Sequence, residues 1–180
     1  MDDAEGRFRA VFESTYSAVA RYARHRGLFG ADAEDLVAGT YEVAWRRLDV
    51  LPAGDGSLPW LLAVERNLLR NHWRKRRRER AVLEQLGPPE ESSSEVSPVS
   101  WQEIRRALDR LSDEDRELIL LIAWDGLAPA QAAIALGLTP GAVRTRLHRA
   151  RGRLAQLLEI EPDLKRPATS GHNQSETAPN

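Results

Sequence analysis

The chain has 180 residues, 42% hydrophobic and 29% charged, and a formal net charge of −1 at pH 7. That length suits one domain of ordinary size or two small ones, and the near-zero charge by itself argues against a nucleic-acid binder. There is no cysteine, which excludes disulfides, thiolate metal sites and a cysteine nucleophile and fits a reducing cytosol.

The first residues, MDDAEGRFRA, are acidic and lack the apolar run of a signal peptide. No segment approaches the roughly 18 apolar residues of a membrane span, so no membrane insertion is expected. Strand signals are nearly absent and a 3.6-residue periodicity dominates, which predicts an all-α chain. It divides into two small helical domains, at 5–86 and 101–160, joined by a flexible linker at 87–100. The linker sequence, GPPEESSSEVSPVS, is rich in Pro, Ser and Glu and cannot bury much. The tail at 161–180 reads as disordered.

In chain order, the first informative helix is 32–48, DAEDLVAGTYEVAWRRL. Asp32, Glu34 and Asp35 open it, where carboxylates suit the positive end of the helix dipole. Leu36, Val37, Thr40, Ala44 and Leu48 form its expected core side. Asp35, Ala38, Glu42 and Arg46 make a mixed-charge strip, with Tyr41 and Trp45 at one border. Such a strip is either a protein-docking face or ordinary surface, and periodicity alone favours the latter.

The next helix is 59–80, PWLLAVERNLLRNHWRKRRRER, with Pro in its first turn. The charge average hides a segregation here: residues 66–80 hold eight basic side chains against one acidic one. Leu61, Val64, Leu68 and His72 line the expected core side. Trp60, Asn67, Asn71, Arg74 and Arg78 fall opposite, flanked by Arg70 and Arg77. Amides can read base edges, arginines can hold phosphates, and an aromatic ring can stack on an unpaired base. The competing reading makes the arginines a solvated helix end and both tryptophans core. It is the better one for Trp73 and evenly matched for Trp60.

The C-terminal domain has a helix starting after Ser112, where Ser112 and Asp115 form a capping box. Pro129–Leu136, PAQAAIAL, is a short Ala-rich helix that Gly137 can end in a left-handed conformation. Thr139 and Pro140 then start a helix through Leu158. Its apolar stripe is narrow: Val143, Leu147, Ala150, Leu154 and Leu157. Arg144, Thr145, His148, Arg149, Arg151 and Arg153 take the rest of the circumference, with no acidic residue between Pro140 and Gln156. Helix, Gly-containing turn and arginine-rich second helix make a helix-turn-helix, whose second helix suits the major groove of DNA. The alternative is a surface helix whose arginines only carry charge.

His25, His72, His148 and His172 show no metal-ligand spacing. No Gly-rich phosphate loop, nucleophile elbow or paired catalytic constellation is present. No cofactor, metal or catalytic residue is therefore expected.

Three stretches, 32–48, 59–78 and 108–154, occur in an order and spacing that resemble the extracytoplasmic-function (ECF) sigma factors of bacterial RNA polymerase, of the sigma-70 family. With the helix of Phe8, Phe12 and Tyr16, the resemblance covers residues 6–158. It implies a non-enzymatic, cytoplasmic factor that binds core RNA polymerase and directs it to a two-part promoter. The helix 32–48 would dock on the clamp helices through Asp35, Leu36, Glu42, Trp45 and Arg46. The helix 59–78 would hold the minus-ten element as single strand through Trp60, Asn67, Arg70, Asn71, Arg74, Arg77 and Arg78. The loop 49–57, DVLPAGDGS, would capture a flipped base. The helix from Thr139 would read the minus-thirty-five element, with Arg144, Thr145, His148 and Arg149 towards the groove and Arg151 and Arg153 beside it. The C-terminal domain would meet the polymerase flap and the linker would run towards the RNA exit path. An anti-sigma factor is a further partner that the resemblance admits.

Two departures stand out. Gln131-Ala132-Ala133-Ile134 replaces the usual acidic residue followed by Ile-Ala, and Ala128 stands where a capping Ser or Thr is common, a loss of about 1 kcal/mol. Two other readings compete: a stand-alone helix-turn-helix regulator that binds duplex as a dimer, and a polymerase-docking protein that reads no DNA.

Overall fold

The structure is a computed structural model that describes residues 2–83 and 99–159. Every regular element in it is helical. α1 spans Asp2–His25, α2 Gly30–Arg46, α3 Ser57–Leu83, α4 Val99–Asp109, α5 Asp113–Ala123, α6 Pro129–Leu136 and α7 Pro140–Glu159. The expected tail, and all of the expected linker except residues 99 and 100, lie outside the described residues. Those two residues open α4.

The first three helices form one unit. α1 and α2 pack on each other and both pack on α3. Val19, Tyr22 and Ala23 of α1 are buried against Leu36, Val37 and Ala44 of α2 and Leu61 of α3. α2 begins and ends two residues earlier than the sequence suggests. Phe29 is extended, so the helix starts at Gly30, and at Arg47 the backbone has left the helical region (φ −118°, ψ 31°). Leu48 therefore follows the helix and is half-buried there. α3 starts two residues before Pro59, which still falls in the first turn, where its missing N–H costs nothing. The Ser57 hydroxyl donates to the carbonyls of Pro52 (2.8 Å) and Gly54 (2.9 Å) and closes the loop before α3. Gly56 must be glycine: a Cβ there would lie 2.8 Å from the Pro52 ring.

The last four helices form the second unit, and local signals set their ends. Ser112 accepts a hydrogen bond from the Asp115 N–H at 3.2 Å and caps α5. The reciprocal half of the expected capping box is missing, because the Asp115 side chain pairs with arginines of α7 instead. Ala128 cannot cap α6, but the Gln131 side chain accepts from the Ala128 N–H at 2.9 Å and recovers half a box. At Gly137, φ +65°, the Leu138 N–H bonds the Ala133 carbonyl and the Gly137 N–H the Ile134 carbonyl, a Schellman ending. Thr139 caps α7 through the Ala142 N–H at 3.2 Å.

The two units do not stand apart. α6 lies along α3, and one hydrophobic core runs through both units. Ala132, Ala133 and Ala135 are buried on α6. Small side chains let two helices approach closely. Leu62, Glu65 and Leu69 of α3 are buried as well, a second covered stripe beside the expected one of Leu61, Val64, Leu68 and His72.

Candidate nucleic-acid interface

α7 is held by its predicted stripe. Val143 and Ala150 are fully buried, Leu147 nearly so, and Leu154 and Leu157 are half-buried. This leaves Arg144, Thr145, His148, Arg149, Arg151 and Arg153 exposed. Of these, Arg153 is committed: its guanidinium pairs with Asp115, which is 3% exposed. Arg146, absent from the predicted set, pairs with Glu114 at 2.6 Å and reaches Asp115 at 3.7 Å. The acidic first turn of α5 thus grips two arginines of α7. The remaining cations are left for an anionic partner.

On α3, Asn67, Arg70, Asn71, Arg74, Arg77 and Arg78 are exposed. Trp60 is half-buried and packs against the core, as does Trp73. The exposed face therefore presents two amides flanked by guanidinium groups, with the Trp60 ring at its border. Arg76, outside that set, holds Asp32 of α2 at 2.6 Å. Before α3, Val50 is 57% exposed on the loop, while Leu51 is buried and anchors it.

On α2, Asp35, Ala38, Glu42, Trp45 and Arg46 are exposed, with Glu42 and Arg46 paired at 2.5 Å. Leu36 corrects the expectation: at 6% exposed it belongs to the core and cannot touch a partner. Tyr41 is also interior, its hydroxyl 2.8 Å from that of Thr15. The face extends onto α1, which the sequence reading did not assign. Phe8 meets Trp45 at 5.1 Å, Phe12 meets Tyr41 at 4.7 Å and Tyr16 at 5.1 Å. Tyr16 is 48% exposed and Trp45 47%. The i, i+4 spacing of Phe8, Phe12 and Tyr16 was the available signal.

Comparison with known proteins bears on this arrangement. Residues 11–79 match the family of sigma-70 region 2 and residues 101–154 that of sigma-70 region 4. The chain is 32% identical over 131 residues to the ECF RNA polymerase sigma factor EcfG of Rhodopseudomonas palustris, covering 72% of each chain. The chain belongs to the ECF RNA polymerase sigma factors. It is 33% identical over 147 residues to SigL of Mycobacterium tuberculosis, covering 78% of this chain and 82% of that one. Among solved structures it is similar to RpoE of Bartonella quintana, crystallised with the anti-sigma factor NepR, with a TM-score of 0.64 and 31% identity over 86% of this chain and 98% of that one. As a sigma factor it directs transcription initiation, and its partners are core RNA polymerase and promoter DNA. Among the described residues no helix is long and apolar enough to cross a membrane.

The sigma factor also holds a charged cluster between its two units that sequence reading missed. Arg26, just past α1, donates from Nε and Nη2 to the two Glu117 carboxylate oxygens of α5, both at 2.9 Å. Its Nη1 donates to Asp125, in the turn after α5, also at 2.9 Å. The guanidinium lies 3.3 Å above the Tyr22 ring centroid. Tyr22 donates to Glu117 at 2.8 Å, and His25 Nδ1 lies 2.9 Å from Asp125. Burial, and the Glu117 charge after it, raise the Tyr22 phenol well above its ordinary range, so it donates rather than ionises. Burial works against the Arg26 charge, but the Glu117 and Asp125 carboxylates bonded to it more than restore it. Glu65 of α3, within electrostatic reach of this cluster, is fully buried with both carboxyl oxygens unpaired. Burial pushes its pKa up to about 9, helped by Asp125 and Glu117 and opposed by Arg26, so it is a neutral acid at pH 7. Tyr22 and Arg26 lie four positions apart, but the bonds that join the two units span 91 to 100 positions.

Proposed function

We propose that this sigma factor reads its promoter with α7 in the major groove of the upstream element and α3 on the melted strand of the downstream element. The observation that carries this is the presence, on one chain, of two exposed basic helices with different chemistry. α7 offers guanidinium and imidazole donors, which suit the acceptor-rich edges of base pairs in duplex. α3 offers two amides among arginines beside Trp60, which suits unpaired bases on a phosphate chain. Arg144, Thr145, His148 and Arg149 contact the groove, with Arg151 alongside. Arg153 orients α7 through Asp115 and reaches DNA second. Asn67 and Asn71 hold bases, and Arg70, Arg74, Arg77 and Arg78 hold phosphates. The loop at 49–57 receives a flipped base.

α2 docks on the polymerase clamp through Asp35, Glu42, Trp45 and Arg46, and Phe12 and Tyr16 of α1 extend that surface. Aromatic residues in such a patch carry much of an interface's energy. The second unit meets the flap. The polymerase performs the chemistry, so the factor itself is not an enzyme, and it acts in the cytoplasm. The similar RpoE, crystallised with the anti-sigma factor NepR, makes such an inhibitor a further candidate partner. Run-off transcription with purified core polymerase, with and without this protein, on a library of promoter fragments tests the reading. Initiation from a defined two-part element only in its presence is expected. Independence from it, with tight duplex binding by the protein alone, would make it a stand-alone regulator.

A further inference from the structure

α7 is covered along a narrow stripe of Val143, Leu147 and Ala150. A stripe this thin fixes the depth of a helix better than its roll about its own axis. At 3.6 residues per turn, Arg144, Thr145, His148 and Arg149 share one exposed arc. Arg146 and Arg153 lie within about 20° of each other on the flank between that arc and the stripe. A helix about 10–12 Å across fills a major groove about 12 Å wide, so this flank passes the phosphate wall. A roll of about 20° carries a side-chain tip, about 5–6 Å from the axis, through about 2 Å, enough to break a hydrogen bond to a base edge.

Packing does not settle the roll on that flank. An open cavity of about 530 Å³ lies between the start of α5 and α7, with Asp115, Thr145, Arg146, Arg149 and Arg153 in its lining. What spans it is charge. The Asp115 side chain is 5% exposed; one carboxylate oxygen accepts from Arg153 and the other lies 3.7 Å from Arg146 Nε. The Ser112 hydroxyl accepts from the Asp115 N–H and fixes the backbone that carries this carboxylate. Arg146 also meets Glu114 at 2.6 Å, but there both side chains are well exposed. An exposed pair is weak, whereas a buried carboxylate stripped of its guanidinium is left uncompensated. Asp115 therefore retains its arginines when DNA phosphates compete for them.

Resting on the reading of α7 as the groove helix, we propose that Asp115 is a specificity-determining positioning residue. It pins the roll of α7 through Arg146 and Arg153, and it mutes the charge of those two arginines towards phosphate. The native chain thereby binds arbitrary DNA less tightly and its own element more selectively.

Fluorescence anisotropy of the full-length chain tests this over a series of salt concentrations. One duplex carries the upstream element that run-off transcription identifies, and the other is scrambled. Asp115→Asn keeps the side chain's shape, leaves no buried charge unpaired and frees Arg153. It binds the scrambled duplex more tightly, with the slope of log K against log salt steeper by about 0.9 for one added phosphate contact. Its preference for the element falls about tenfold. Adding Arg153→Gln returns the slope to the native value and leaves the preference low. Glu114→Gln removes the same unit of charge one residue away and keeps the native preference. An unchanged slope or an unchanged preference in Asp115→Asn overturns the proposal. So does an equal effect of Glu114→Gln, which would make net charge the cause. Equal weakening on both duplexes at the native slope would make Asp115 merely structural and overturns it too. The scrambled-duplex slope needs neither polymerase nor an identified promoter, so its failure sinks the role of Asp115 alone, whereas failure of run-off transcription sinks the promoter reading.

Discussion

Glu65 lies close enough to Arg26, Asp125 and Glu117 to feel their charges, yet bonds to none of them, and burial raises its pKa from 4.5 to about 9. That shift fixes the sign of a pH dependence. Below pH 4.5 the acid is neutral folded or unfolded and costs nothing extra. Between that pH and about 9 the unfolded chain releases its proton and the folded chain does not, so stability falls as pH rises, with a limiting slope of about 1.4 kcal/mol per pH unit. Urea unfolding midpoints at pH 6 and pH 8 check this: Glu65→Gln flattens the difference seen in the native chain, and an equal drop in both proteins would mean that Glu65 is ionised in the fold. Arg144 is a contrasting residue, exposed at the start of α7 and without an ion pair among the described residues. Arg144→Ala lowers use of the upstream element by about 1–3 kcal/mol if it contacts a base edge. Promoter activity equal to the native chain's would remove it from the reading set. Arg144 was legible because an unpaired arginine beside an apolar stripe is a local pattern. Glu65 was not, because its surroundings come from α1, α5 and the turn after α5.

At the scale of elements, α7 and α3 mark the reach and the limit of periodicity. For α7 the stripe of Val143, Leu147 and Ala150 was enough, since the helix is covered from one side. For α3 the same reasoning found Leu61 and Leu68 but assigned only one covered side. Leu62 and Leu69 are apolar in the sequence, yet that this second side would be covered too depends on how α3 packs against helices elsewhere in the chain. The prolines, glycines and caps around α6 were legible because each acts within four residues. They also make a sharp comparison. Gly137 has φ +65°, so Gly137→Ala strains the turn and costs about 1 kcal/mol. Gly152 lies inside α7 with open space where a methyl group would stand, so Gly152→Ala stabilises by up to about 1 kcal/mol. Thermal unfolding of the two variants checks both signs, and a shift in the same direction would contradict the helix-end assignment. On α3, Asn67→Ala with Asn71→Ala should reduce strand opening, read by permanganate reactivity, more than closed-complex binding, read by gel shift. Equal losses would remove the single-strand role.

For the molecule as a whole, the near-zero net charge and the exposed basic faces of α3 and α7 fit together once the polymerase is counted as a partner. A factor that borrows most of its DNA affinity needs little of its own. The free chain should therefore bind a promoter duplex far more weakly than the holoenzyme does, and fluorescence anisotropy at matched salt measures this. Tight binding by the free chain would favour a stand-alone regulator. The all-helical class and the two units were legible from composition and periodicity, whereas their packing on each other was not, because the decisive bonds join residues about 100 positions apart. That packing has a further consequence. α3 carries buried Leu62 and Leu69 on one side and its exposed amides and arginines on another. Substitution in the first set is expected to alter stability, and substitution in the second which promoters are used. Natural selection can therefore retune robustness and target choice in a single helix as separate traits.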